Sequence, residues 1–236
     1  DHLAVLRDTK PEVVSFHFGL PDQEVMASLK EAGIFIICTA TTVAEARTLE
    51  GMGVDAIIAQ GIEAGGHRGT FTEVDISMQP GLFALLPQVV DAVSVPVIAA
   101  GGVGDGRSIA AAFMLGASAV QMGTAFLRCE ESAIPDVYRD SFDEFTDANT
   151  IVTDAVSGRP ARFLKNRLVD ELSAPGAAPL PFPAQLGLSN PLTATGDPHA
   201  SVLLAGQAVA LTRARTAQNL MESLAVEAGQ RLKAFD

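Results

Sequence analysis

The sequence predicts an α/β fold built on a parallel β-sheet, and three observations lead to this prediction. Short, largely apolar runs alternate with helix-like segments through the first half of the chain. These runs are apolar along their whole length, which is typical of strands buried on both faces. Three of them lead into glycine-rich or Gly-Thr segments, at the sheet edge where parallel α/β proteins bind ligands.

The predicted elements follow one another as strand and helix over residues 13–124. Strands are predicted at Val13–Leu20, Gly33–Thr41, Val54–Ile58, Val95–Gly102 and Ala119–Thr124. Helices are predicted at Asp22–Ala32, Val43–Gly51, Leu82–Ala92 and Gly106–Leu115. The apolar residues of these helices suit packing against the two faces of a sheet.

A histidine follows a glycine pair in the loop after the third predicted strand. The segment 63–67 reads Glu-Ala-Gly-Gly-His. Gly65 and Gly66 lack the Cβ atoms that would keep a flat ligand away from the backbone, and they permit positive φ. His67 is therefore a candidate functional residue, the alternative being a glycine-rich turn that carries a surface histidine.

The last two predicted strands end in residues that can cradle a phosphate. Gly102 and Gly123 free backbone N–H groups, and the Thr124 hydroxyl adds another donor. The loops after the last two strands of a (β/α)8 barrel form the usual phosphate site of that fold. A dinucleotide fingerprint is excluded because it would need glycine at position 107, where the chain has Arg107. Two glycine-ended strands without a ligand remain the alternative.

Four segments together resemble the nitronate monooxygenase family, formerly called 2-nitropropane dioxygenases. They are 60–69, 99–103, 117–126 and 158–167, the last reading Gly-Arg-Pro-Ala-Arg-Phe-Leu-Lys-Asn-Arg. The Glu-Ala-Gly-Gly-His stretch is shared with flavin-dependent enoyl-acyl-carrier-protein reductases and quinone reductases. Segment 158–167 and the late Leu-Ala-Gly-Gln of 204–207 favour nitronate monooxygenase. The resemblance runs from about residue 13 to the C-terminus.

The resemblance implies a cofactor, a reaction and a set of residues. The cofactor is FMN, and the residues implied to hold it are Gln60, Gly65, Gly102, Gln121, Met122, Gly123 and Thr124. His67 is implied to be the active-site base. The implied reaction is oxidation of alkyl nitronates, of the propionate 3-nitronate type, by O2 to a carbonyl compound and nitrite or nitrate, with a role in nitroalkane detoxification. The alternatives are an NAD(P)H-dependent flavin reductase of the same fold and an inert flavin-binding fragment.

The resemblance also implies a TIM (β/α)8 barrel, of which five strand–helix units can be counted. We therefore expect strands four to eight, with the first three strands upstream of residue 1. The expected organisation is a partial barrel over residues 1–127, an inserted subdomain over 128–190 and C-terminal helices over 191–236. The segment 69–75 after His67 is long enough for a lid or pocket wall, and an ordinary surface excursion is the alternative.

The second half of the chain lacks the regular alternation of strand and helix that residues 13–124 show. A charged helix-like stretch is predicted at Pro135–Phe145, and the proline density of 174–191 argues against a long regular element there, with a disordered linker as the alternative. Asp197 is predicted to cap a long helix from His199 to about Ala214, and another helix is expected from Thr216 onward. Gln207 is a candidate to reach the cofactor.

Composition excludes several partners. The net charge of −12 argues against nucleic acid and anionic membranes, both of which need a basic surface. Cys38 and Cys129 have no metal-ligand spacing, so we expect reduced thiols, a cytoplasmic protein and no metal site. The expected partners are a small substrate and O2, with a homo-oligomer possible. His17 is expected to be a hydrogen-bonded histidine of the barrel's packing layer, the alternative being a side chain that faces the mouth.

Overall fold

The structure, a computed structural model, describes residues 2–73, 75–176 and 178–234. Its α-helices are α1 (His2–Thr9), α2 (Gln23–Glu31), α3 (Val43–Gly51), α4 (Leu82–Val90), α5 (Gly106–Met114), α6 (Asp136–Ser141), α7 (Arg167–Leu172), α8 (Ala184–Thr193) and α9 (Ala217–Leu232). Its strands are β1 (Val13–Phe16), β2 (Phe35–Ala40), β3 (Ala56–Gln60), β4 (Gly66–His67), β5 (Val97–Ala100), β6 (Ala119–Gln121), β7 (Thr150–Thr153) and β8 (Ala161–Leu164).

The chain forms two compact units. The first, here called the sheet unit, contains the chain up to Ile62 together with Gly69–Ala100 and Ala112–Gln121. The second unit contains Glu63–Arg68, Gly101–Ala111 and the chain from Met122 onward. Both units are therefore assembled from segments that are distant in the sequence.

The sheet unit confirms the predicted parallel α/β arrangement. Its five strands pair in the order β1-β2-β3-β5-β6, and every pair is parallel. The central strand β3 is buried at all five positions, as expected for a strand covered on both faces. The side chains of Asp22 and Thr42 cap helices α2 and α3 by accepting a backbone N–H three residues later.

The observed strands are shorter than the predicted ones. The first stops at Phe16 instead of Leu20, and the fifth stops at Gln121 instead of Thr124. Gly101 and Gly102 have φ of 96° and 70°, a left-handed conformation that the extended ladder cannot contain. Gly102, one of the residues that suggest a ligand site, therefore also lies where β5 ends.

The second unit contains a small antiparallel sheet in the order β4-β8-β7. One apolar cluster combines Tyr138 and Phe142 of α6 with Leu203 and Val209. A second cluster places Phe163 of β8 against other buried side chains of this unit. The helix predicted at Pro135–Phe145 is confirmed in a shorter form, as α6.

One prediction for the C-terminal part is wrong. The long helix from His199 to Ala214 is replaced by two short 3-10 helices, Pro198–Ala200 and Gln207–Leu211, with an extended segment between them. Within that segment Leu204 forms an isolated antiparallel bridge with Phe163, and the carbonyl of Leu203 accepts the Leu164 N–H at 2.8 Å. Pairing with β8 therefore competes successfully with helix formation.

The proline-rich segment also contains more regular structure than predicted. Helix α8 spans Ala184–Thr193 and includes Pro191 near its C-terminal end. Pro181 and Pro183 precede the helix, where the absence of an N–H group costs no helical hydrogen bond. The helix predicted from Thr216 onward is confirmed, because α9 begins at Ala217 with Thr216 as its N-cap.

Among the described residues, no helix has both the length and the apolar character needed to span a membrane.

Candidate functional site

The strand register places the carboxyl ends of β3, β5 and β6 at the same level of the parallel sheet. Gln60 at the end of β3 lies opposite Ala100 of β5, and Ala100 lies opposite Gln121 of β6. The two glutamines predicted to hold the cofactor therefore lie at one level of the carboxyl edge of the sheet unit. Gln60 is buried, whereas Gln121 is exposed.

Gln60 fixes the loop that follows His67 in the sequence. Its Oε1 accepts the backbone N–H of Gly69 at 2.9 Å. A Cβ on Gly69 would lie 2.4 Å from Thr39 Cγ2 and 2.8 Å from His17 Cε1, so only glycine allows this approach. His17 Nδ1 is hydrogen-bonded to Thr39 Oγ1 at 3.0 Å. The predicted hydrogen bond of His17 is thus present, and the residue is exposed.

Glu45 anchors the same loop, and sequence analysis missed it. Its fully buried carboxylate accepts from the Thr70 hydroxyl at 2.7 Å and from the Phe71 N–H at 3.0 Å, and from both the N–H and the hydroxyl of Thr72. It also accepts from the N–H and hydroxyl of Thr41, each at 2.7 Å. Residues 70–72 are therefore held in place by Glu45, which argues against a moving lid, and the pocket wall stays a prediction. Val74, within the predicted lid segment, lies outside the described residues.

The hydrogen bonds of Glu45 also set its charge state. Burial by itself raises the pKa of a carboxyl group, because the charged form loses its hydration. The hydrogen bonds from Thr41, Thr70 and Phe71 outweigh burial here and hold the pKa of Glu45 below its ordinary value. The loop is therefore anchored by an ionised carboxylate at neutral pH.

His67 lies in the second unit, in a two-residue strand and not in an open loop as predicted. Gly66 and His67 pair with Arg162 and Ala161 of β8. The His67 Nε2 atom lies 3.0 Å from the hydroxyl oxygen of Ser157. The ring of Phe182 contacts the imidazole edge-to-face, with 5.0 Å between ring centroids. The position of the ring is therefore set by a polar partner and an aromatic partner.

The absence of a side chain at Gly158 lets the segment that carries Phe182 pack close to the backbone beside β4 and β8. Its φ is 80°, and a Cβ at this position would lie 2.1 Å from the carbonyl oxygen of Leu180 and 2.6 Å from the Phe182 N atom. Any other residue would displace the segment 180–182. The glycine that opens the predicted motif 158–167 is thus required for packing beside His67.

Gly65 is explained by a close approach of two backbones. A Cβ on Gly65 would lie 2.4 Å from the N atom of Gly206. The Gly206 N–H in turn donates to the Thr124 hydroxyl oxygen at 2.9 Å, and the Gln207 N–H donates to the Glu63 carbonyl at 2.9 Å. Gly65 therefore makes room for the protein's own chain, and its predicted contact with a cofactor stays a prediction.

Open space surrounds other glycines of the second unit. At Gly66 and Gly123, no atom of the described residues lies within 4 Å of the position that a Cβ would take. The position of a Cβ on Gly102 lies 3.5 Å from the Glu63 side chain, an ordinary van der Waals contact. Gly102 and Gly123 are both exposed, and Met122 and Thr124 are partly exposed. These residues leave room for a ligand group.

Arg162 lies in β8, the strand that pairs with the strand of His67, and Arg159 lies just before β8. Burial lowers the pKa of Arg159 and of Arg162, and Glu63 partly offsets this effect at Arg162 by favouring its charged form. The Arg162 Nη1 atom donates to the Thr150 hydroxyl at 3.0 Å. Among the described residues, no group of three or more His, Cys, Asp or Glu side chains is arranged to hold a metal ion.

Comparison with protein families gives the assignment of the chain. The family model described as nitronate monooxygenase matches residues 1–227. The chain belongs to the nitronate monooxygenase family. A nitronate monooxygenase from Pseudomonas aeruginosa is 43% identical over 230 residues, which cover 95% of this chain and 66% of that protein. A second, from Paraburkholderia phytofirmans, is 43% identical and is covered over 64% of its length. The chain thus spans slightly less than two thirds of these nitronate monooxygenases.

Solved structures agree with the family assignment. The nitroalkane oxidase from Streptomyces ansochromogenes superposes with a TM-score of 0.93 at 44% identity, covering 99% of this chain and 69% of that chain. FabK from Thermotoga maritima superposes with a TM-score of 0.82 at 32% identity, covering 99% of this chain and 73% of that chain. The α/β fold of this family member is therefore shared with both proteins.

Three residues of this nitronate monooxygenase family member were not predicted from the sequence, one in the sheet unit and two in the second unit beside His67. They are Glu45, Ser157 and Phe182. Ser157 directly precedes the Gly158-Arg159-Pro160 motif, so its place in the sequence was the available signal. Glu45 and Phe182 gave no signal, because their partners Thr70 and His67 are distant in the sequence.

Proposed function

We propose that the protein oxidises alkyl nitronates, of the propionate 3-nitronate type, with O2 and FMN, giving a carbonyl compound and nitrite or nitrate. The observation that carries the proposal is His67, held by Ser157 next to the open space at Gly66. Support comes from the 43% identity to a nitronate monooxygenase over 95% of this chain. His67 is proposed as the catalytic base.

The residues of the second unit fit the phosphate of FMN. Gly102 and Gly123 leave space, and the left-handed backbone at Gly102 turns away from the strand and frees N–H groups. The Thr124 oxygen accepts the Gly206 N–H, which leaves its own hydrogen available for a phosphate oxygen. A site for a single phosphate, without a dinucleotide fingerprint, favours FMN over FAD. Gln60, Gly65, Gln121 and Met122 are proposed as further FMN contacts on the strength of the family resemblance.

The proposed roles of FMN and His67 in the reaction follow from this arrangement. Bound FMN supplies the electron chemistry with O2. His67 takes the α-proton when a neutral nitroalkane is offered, and in its protonated form it donates a hydrogen bond to a nitronate oxygen when the substrate is already a nitronate.

The numbering of the strands within a barrel and the division of the chain into domains are also proposals. The five parallel strands are proposed to correspond to strands four to eight of a TIM barrel, which the TM-score of 0.93 with the nitroalkane oxidase supports. The division into a partial barrel over 1–127, a subdomain over 128–190 and C-terminal helices over 191–236 stays a prediction. So do a cytoplasmic location, in line with the two buried free cysteines, and a possible homo-oligomer.

A second candidate function is NAD(P)H-dependent flavin reduction, which the Glu-Ala-Gly-Gly-His stretch of residues 63–67, shared with flavin-dependent enoyl reductases, leaves open. A third is flavin binding without turnover. An oxygen electrode, used with the full-length flavin-loaded protein, distinguishes these three candidate functions. We expect steady O2 consumption with a nitronate in the absence of NADH. Oxidation of NADH without nitronate turnover would support the reductase, and a yellow protein inert in both assays would support the third candidate.

Gly123→Ala tests the proposed phosphate site. The backbone of Gly123 has φ of −107°, which alanine tolerates, and the position is open, so the apoprotein should keep its thermal midpoint. A methyl group in the cradle should weaken FMN binding about tenfold or more, equivalent to about 1.4 kcal/mol. Fluorescence titration with FMN measures this. Gly229→Ala in α9, also at an open position, is the matched control and should bind FMN normally. Unchanged affinity in Gly123→Ala would remove Gly123 from the site.

A further inference from the structure

The hydroxyl group of Ser157 joins His67 to a backbone carbonyl. Its oxygen lies 3.0 Å from His67 Nε2 and 2.8 Å from the carbonyl oxygen of Arg159. The Arg159 N–H approaches the same oxygen at 3.4 Å. Ser157 is fully buried, so its partners are set by the protein.

The direction of each hydrogen bond follows from counting hydrogens. A serine hydroxyl has one hydrogen, and a carbonyl oxygen can only accept. Two oxygen atoms 2.8 Å apart without a hydrogen between them would repel each other, so the Ser157 hydrogen points at Arg159. The contact with His67 must then be donated by the imidazole. Nε2 therefore carries a hydrogen, and Nδ1 is the unprotonated nitrogen of the neutral ring.

We propose that Ser157 is a positioning residue that holds the hydrogen of His67 on Nε2 and so makes Nδ1 the basic atom. What Nδ1 does chemically rests on the proposed function. The α-C–H bond of the nitroalkane breaks, its proton forms a bond with Nδ1, and the electron pair stays on the substrate as the nitronate. The product imidazolium still donates its Nε2–H to Ser157, so this hydrogen bond is kept throughout the step.

Nitrogen-15 NMR of the histidine-labelled, flavin-loaded full-length protein reads the tautomer directly. The chain has four histidines, and the His67 signals are assigned by their loss in His67→Asn. We expect neutral His67 to carry its hydrogen on Nε2. Ser157→Ala should give a mixture of tautomers, and Ser157→Thr, which keeps the hydroxyl, should restore the original one. Ser201→Ala, which removes another fully buried serine hydroxyl of this unit, should leave His67 unchanged.

Kinetics supply a second readout. Ser157→Ala should lower kcat for a neutral nitroalkane about tenfold, the effect of one hydrogen bond, with little change in KM or in oxidation of the pre-formed nitronate. A hydrogen on Nδ1 of neutral His67 in the unaltered protein, or an unchanged tautomer in Ser157→Ala, would overturn the proposal. The expected tautomers without any nitronate turnover would keep the positioning role and refute the proposed function.

Discussion

His67→Asn is expected to lower the turnover of neutral nitroalkanes by about 10²- to 10⁴-fold, the usual loss when a general base is removed. Pre-formed nitronates need no proton removed, so their oxidation should decrease much less. The two substrate forms, assayed separately by O2 consumption, measure this difference. The absorbance of bound flavin should stay normal, because asparagine does not fill the space at Gly102 and Gly123.

His199→Asn is the matched control for this substitution. His199 is exposed at a short 3-10 helix of the same unit, and its structural role there is carried by its backbone N–H, which is bonded to Asp197. We expect this variant to turn over both substrate forms normally. An equal loss on the nitroalkane and on the nitronate in His67→Asn would show that His67 does not act as a base.

Glu45→Gln should destabilise the protein by about 3 kcal/mol, because several buried donors lose a charged acceptor and some face an NH2 group instead. For a chain of this size the thermal midpoint should fall by about 6 to 12 °C. Glu50→Gln, on the same helix, is the matched control. Glu50 accepts from the N–H and hydroxyl of Ser94 at the surface, so its loss should matter less. Equal midpoints in the two variants would contradict an anchoring role for Glu45.

The contribution of Glu45 should depend on pH in one direction. Its pKa is lowered by folding, so its stabilisation is complete above the ordinary glutamate pKa of about 4.3. It is lost as the pH falls through the lower pKa of the folded state. The difference in unfolding free energy between the unaltered protein and Glu45→Gln should therefore be constant near pH 7 and shrink in acid. Urea unfolding at a series of pH values measures it.

The parallel sheet could be predicted because its signals are local. Helix α3 was predicted at Val43–Gly51, where the structure has it, and the Thr42 side chain caps it. Helix α9 was predicted from Thr216 onward, and the Thr216 side chain caps it in the same way. The segment from Ser201 to Ala205 was wrongly predicted as helix, because its apolar residues suit a helix and a strand equally, and pairing with distant β8 decides between them.

The candidate site was predicted only in part for a similar reason. The glycine–histidine stretch around His67 is visible in the sequence, and so is the Gly123-Thr124 pair that follows β6. The atoms that orient His67 come from Ser157 and Phe182, which lie roughly 90 and 115 residues further along the chain. No local pattern reports such a pairing, so the sequence indicated the proposed base, His67, without Ser157 and Phe182, which contact it.

The contact between Gly65 and Gly206 has a consequence for biosynthesis. These two backbones meet although they are roughly 140 residues apart, and translation proceeds at about 5 to 20 residues per second. Segment 63–67, which contains His67, is therefore synthesised roughly 7 to 30 s before the segment around Gly206. During that interval the nascent chain lacks the backbone against which segment 63–67 packs. Flavin capture should accordingly follow synthesis of the segment around Gly206.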